Sequence, residues 1–137
     1  MEIGGLKKKD FQVWVPFGVQ DEKNGAQVLI RYLTREDLQE ITRKATVVAW
    51  DRRNPRESHL DATQADILIG RAAVKGWKGF THDGNDYPYS PENCDELMKG
   101  WMEFAQFVND VAIDLQRLQE VEAKQTVKNF SRTSGSE

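Results

Sequence analysis

The apolar pattern of this chain changes period once, near residue 33, and that change limits the possible folds more than any other feature. Before it, apolar residues alternate. Phe11, Val13 and Val15 share one face of a run over 11–15, and Val28, Ile30 and Tyr32 share one face of a run over 26–32. Both runs are rich in β-branched and aromatic residues, which suit a pleated, half-buried surface. Between them Pro16, Gly18 and the polar run Asp21, Glu22, Lys23, Asn24 and Gly25 supply turn chemistry, and Pro16 ends the first strand because it has no amide to donate. The N-terminal part therefore reads as a β-hairpin, which is marginal alone and needs a layer to pack on.

After residue 33 apolar residues recur at helical spacing. Thr34 is an N-cap type, and Glu36 and Asp37 place negative charge in the first turn, where free amides favour it. Leu38, Ile41, Ala45, Val48 and Ala49 form one stripe, so a helix is expected from Thr34 past Ala45, followed by an exposed loop over 51–56. Asp61 caps the next helix, expected to reach about Lys75. It carries Ala65, Leu68, Ile69 and Ala72 on one side and Ile67 and Val74 on the other, so it is either central or covered by a partner.

Asp83-Gly84 is suited to closing a small hairpin. Ser90-Pro91 is a strong helix start, with a hydroxyl cap and proline at the first helical position. Gly100 separates that short helix from a long one expected over 101–123, whose stripe is Trp101, Phe104, Val108, Val111, Ala112, Leu115 and Leu118. The expected fold is α+β, an N-terminal β-hairpin followed by about four helices. It forms one mostly helical domain over 1–128, with flexible ends at 1–9 and 129–137.

Composition excludes several classes. In 137 residues, 39% hydrophobic content is too rich for wholesale disorder, and a single cysteine, Cys94, leaves no disulfide framework or zinc pattern. No run approaches the ~18 apolar residues of a membrane helix, and the start MEIGGLKKKD lacks the apolar run of a signal peptide; no membrane partner and a cytoplasmic location are expected. A net charge of −3 argues against a general nucleic-acid coat. Lys7, Lys8 and Lys9 and the cluster Arg52, Arg53 and Arg56 read as solvated charge rather than phosphate contacts.

Chemistry-bearing motifs are sparse. The chain has no GxSxG, Walker loop or HExxH, so no catalytic residues and no enzyme activity are expected. Glu92, Asp95 and Glu96 surround Cys94 with negative charge, which opposes a thiolate and favours a structural cysteine. His82 lies beside Asp83 and Asp86, but the spacing is not that of a calcium loop, and acidic turn residues commonly serve local amides. No metal or cofactor is expected. The stretch 82–98 holds Asp83, Asp86, Glu92, Asp95 and Glu96 without Lys or Arg, an acidic block that favours a basic protein partner.

The aromatic residues are more informative. Trp77, Phe80, Tyr87, Tyr89 and Trp101 fall close together around loops. They form either a mini-core that locks the loop to the helices or a binding surface, since Trp and Tyr offer large contact area at low entropic cost. Met102 and Ile113 point away from the main stripe of the long helix and join the candidate partner-binding set.

At Trp77-Lys78-Gly79-Phe80, Asp83-Gly84 and Pro88-Tyr89-Ser90-Pro91-Glu92-Asn93 the chain resembles the central segment of tail assembly chaperones of long-tailed bacteriophages and prophages. Glu122-Ala123-Lys124 and Lys128-Asn129-Phe130-Ser131-Arg132-Thr133 resemble endings common in that family. The resemblance covers about residues 60–133. It implies a non-catalytic role in the host cytoplasm: binding the tape-measure protein, keeping its apolar helices soluble and recruiting tail-tube protein, with homo-oligomers possible. The alternatives are a permanent tail component such as a completion or adaptor protein, a regulator touching nucleic acid through the basic clusters, and a metal-dependent enzyme around His82.

Overall fold

The computed structural model describes residues 11–18, 25–51 and 54–134, with side chains over 11–18, 25–46 and 60–126. Lys7, Lys8, Lys9, the turn residues Asp21 to Asn24, Arg52 and Arg53 lie outside the described residues, as do the expected flexible end 1–9 and the last three residues, 135–137, of the tail expected over 129–137. In chain order the first elements are β1 (Gln12–Pro16), β2 (Gln27–Arg31), α1 (Arg35–Ala45), β3 (Thr46–Asp51), β4 (Asn54–Leu60) and α2 (Ala62–Ala73). They are followed by β5 (Val74–Lys78), β6 (Thr81–His82), β7 (Asn85–Asp86), α3 (Pro91–Gly100), α4 (Met102–Ala112) and α5 (Leu115–Ser134). The fold is α+β, as the change of period implies, with five helices among the described residues.

The hairpin forms as expected. Val13 faces Ile30 and Val15 faces Val28 across the β1–β2 pair, and all four are buried. A third antiparallel strand, β5, joins β2, giving the sheet order β1-β2-β5. Residues 74 and 75, expected to finish a helix, thus belong to a strand. A β-bulge explains the difference. Val28 pairs with Trp77, Leu29 with Gly76 and Ile30 with Val74, so Lys75 is the extra residue. The bulge turns both Val74 and Trp77 to the core although they are three apart, a spacing that imitates a helical stripe.

The helices cover one face of this sheet. The second helix, α2, is the hub, touching α1, α3, α4, β2 and β5, which accounts for its nearly all-round apolar surface. Gly70 lets it approach α3 closely: a Cβ there would lie 2.5 Å from Met98 Cγ and 3.3 Å from Cys94 Sγ. The first helix stops at Ala45 instead of continuing its stripe, and 46–51 and 54–60 form a separate antiparallel pair, β3–β4, in place of helix and loop. Thr46, Val47 and Val48 are β-branched, which favours a strand. The long C-terminal helix is broken at Ile113–Asp114. The Ala112 carbonyl there accepts a 2.9 Å bond from the Leu33 amide, and Asp114 caps α5 by accepting from the Arg117 amide at 3.1 Å. The final helix continues to Ser134, into the segment expected as a tail from residue 129. It packs along β1, and the Gln125 amide donates to the Trp14 carbonyl, occupying part of that open sheet edge.

Candidate functional site: an aromatic groove

Residues 77–93 build one locked unit from local rules. Gly79 has φ +81° and sits so close to residues 25 and 26 that a Cβ would meet Ala26 Cα at 3.0 Å, so glycine is required both for conformation and for space. Asp83 and Gly84 both have positive φ and close the β6–β7 pair, as Asp-Gly predicts. The Ser90 hydroxyl accepts from the Asn93 amide at 3.0 Å, and the Asn93 side chain donates back to the Pro88 carbonyl at 2.9 Å.

Trp77 holds this unit to the sheet. Only 7% exposed, its ring stacks on Phe80 at 5.0 Å and on Tyr87 at 6.0 Å and meets the edge of Tyr89 at 5.1 Å. Its Nε1 donates to the Tyr87 carbonyl at 2.8 Å, and the Tyr89 hydroxyl donates to the Val74 carbonyl at 3.1 Å. These bonds satisfy polar atoms that would otherwise be costly to bury. For Trp77 and Tyr89 the structure shows the mini-core arrangement.

The remaining aromatics frame an open groove of about 860 Å³. Its walls include Phe17, Phe80, Tyr87 and Trp101, together with Leu97, His82, Glu96 and Glu103. Trp101 is 39% exposed, lies edge-on to Phe17 at 5.3 Å and stacks over buried Phe104 at 5.8 Å. It stands between α3 and α4, its amide bonded to the Leu97 carbonyl at 2.9 Å. Of the expected partner-binding residues, Phe80, Tyr87 and Trp101 are thus brought together at one surface, with Trp77 and Tyr89 supporting them from below. Met102 and Ile113, 77% and 53% exposed, mark the start and end of α4 and do not line the groove.

Phe17, Glu96 and Glu103 belong to the groove but were not singled out as site residues. Phe17 had a readable signal: it continues the alternation Phe11, Val13, Val15 beyond Pro16. Glu103 had none, since its place in the groove depends on how α4 packs against α3, which local sequence does not show.

Electrostatics distinguish the parts of the acidic block. Asp95 is paired through two Arg71 nitrogens at 2.8–3.2 Å, a partner from α2 that the local sequence could not reveal. Glu96 accepts from the Tyr87 hydroxyl at 3.1 Å. Burial, then this bond, holds the Tyr87 phenol above its ordinary pKa. Cys94 is buried against Gly70, and burial, reinforced by Asp95 and partly offset by Arg71, pushes its thiol up to about 12. Such a thiol stays protonated and is a poor nucleophile. His82 Nε2 lies 3.4 Å from Asp83 Oδ2, both exposed, and no three His, Cys, Asp or Glu side chains among the described residues form a possible metal set.

The model of the YdaY prophage protein family matches residues 33–129, most of the chain, including the groove residues Phe80, Tyr87, Glu96, Trp101 and Glu103 but not Phe17. The chain belongs to that family. It is therefore a prophage protein, in agreement with the phage origin that the motif resemblance implied. The match does not extend to the narrower tail-chaperone assignment. No curated protein and no solved structure matches the chain. No helix among the described residues is long and apolar enough to cross a membrane.

Proposed function

We propose that this prophage protein is a non-catalytic assembly chaperone of phage tails that holds apolar helical segments of the tape-measure protein and helps recruit tail-tube protein. The observation that supports this most is the open groove walled by Phe17, Phe80, Tyr87 and Trp101. An aromatic surface with an opening of this size suits helix-in-groove binding, in which a partner inserts apolar side chains at helical spacing. The protonated, buried Cys94 thiol offers no nucleophile that would argue for catalysis instead. Residence in the bacterial cytoplasm, where tails assemble, belongs to the same proposal.

Co-expression with the tape-measure protein of the same prophage tests it. The expected result is more soluble tape-measure protein and a complex that survives purification. If the tape-measure protein stays insoluble and uncomplexed, the proposal fails. Persistence of the protein in finished particles would instead favour a permanent completion or adaptor component.

A further inference from the structure

The groove combines two chemistries that a purely apolar guest would not use. Its lining combines the aromatic wall with two carboxylates, Glu96 and Glu103, and no Lys or Arg among the described residues lines it. Glu96 is oriented by the 3.1 Å bond from Tyr87, a neutral donor that leaves its charge in place. Glu103 makes no ion pair among the described residues, whereas the neighbouring Asp95 is fully engaged by Arg71. Trp101 presents its ring between these two acidic positions in the chain and is exposed enough to be covered.

We infer that the groove is built for an amphipathic helix of a partner protein that carries Lys or Arg beside its apolar stripe. This rests on the groove being the partner-binding surface. Lysine and arginine pair an apolar stem with a charged head, so their stems can lie on Trp101 and Tyr87 while their heads reach Glu96 and Glu103. The aromatic faces attract the same cations. An acidic guest would instead bring its charge against two carboxylates, and a neutral guest would gain nothing from them.

The test uses three synthetic amphipathic helical peptides with one shared leucine stripe and Lys, Gln or Glu at the polar positions. They are titrated into the wild-type protein, Glu96→Gln/Glu103→Gln and Trp101→Ala, and the fold of each is checked by circular dichroism. Gln still accepts the Tyr87 hydrogen bond, so the double substitution removes charge with little change of shape. The Lys peptide is expected to bind roughly tenfold more tightly than the Glu peptide, with the gap closing in the double variant and narrowing in high salt. Equal affinities in the wild-type protein, or a Lys preference that survives the double substitution, would overturn the charge inference. Binding of all three peptides through Trp101 would in that case leave the groove reading intact. Failure of every peptide to bind overturns the inference, and tape-measure capture unaffected by Trp101→Ala would remove the groove reading as well. A dimer in sedimentation that Trp101→Ala dissolves would show that a second copy of the chain occupies the groove, which also contradicts the inference.

Discussion

Gly70 and Cys94 show how a single contact constrains two helices. Glycine inside a helix costs about 1 kcal/mol relative to alanine, yet at Gly70 the smaller residue is required because Met98 and Cys94 occupy the space a methyl would take. Gly70→Ala is therefore expected to lower stability by roughly 1–3 kcal/mol through overpacking, despite the gain in helix propensity. Chemical denaturation checks this, and an unchanged or raised midpoint would mean that Met98 relaxes at no cost. The raised thiol pKa of Cys94 makes a second prediction. Below about pH 12 the folded protein holds it as the neutral thiol, so Ellman's reagent at pH 8 should react only at the rate of unfolding. Rapid labelling of the native protein would contradict the burial seen here.

At the scale of elements, α1 is held by a capping box in which Thr34 and Asp37 bond each other's backbone amides at 2.9 and 3.2 Å. Arg31 ties this cap to its surroundings, donating to Asp37 at 3.2 Å and to the Ala72 carbonyl of α2 at 3.2 Å. Burial pushes the Asp37 carboxyl up, but the bonds from Thr34 and Arg31 outweigh it and hold its pKa below the usual value. A depressed carboxylate stabilises the fold above its unfolded pKa, and that stability is lost as pH falls through the folded value. The melting temperature should therefore drop on acidification below about pH 4. Asp37→Asn should melt lower at neutral pH and show a shallower acid decline; an equally steep decline would place the acid sensitivity elsewhere.

Caps and turns were legible in the sequence because their chemistry is local: Thr34, Asp61, Asp83-Gly84 and Ser90-Pro91 all act where they were expected. What was not legible depends on distant residues. The bulge at Lys75 needs the partner strand β2, and the end of α4 is fixed by the Leu33 amide, far away in sequence. The run over 46–49 is apolar enough to satisfy either period, and pairing with residues 57–60 makes it a strand.

For the whole molecule, the same sheet-and-helix packing that buries Trp77 leaves Trp101 at the surface, ahead of α4, although the sequence placed Trp101 at the head of the buried stripe of the long helix. Residue type marked the cluster, but only the crossing of β5, α3 and α4 divides it into support and exposed wall. The acidic character of 82–98 was likewise visible, while its neutralisation at Asp95 by Arg71 was not. Trp101 packs on Phe17 and Phe104 but is partly exposed and gives α4 no side-chain cap, so Trp101→Ala is expected to lower stability while leaving the protein folded.

The most direct measurement is the affinity of purified tape-measure protein, or a soluble helical fragment of it, for the wild-type protein, Trp101→Ala and Met102→Ala. Buried aromatic anchors commonly contribute about 2 kcal/mol or more, so Trp101→Ala should weaken binding by roughly 30-fold. Met102→Ala, outside the groove, should bind as the wild type does. Equal binding by a folded Trp101→Ala variant, or a larger loss at Met102, would contradict partner binding through the groove.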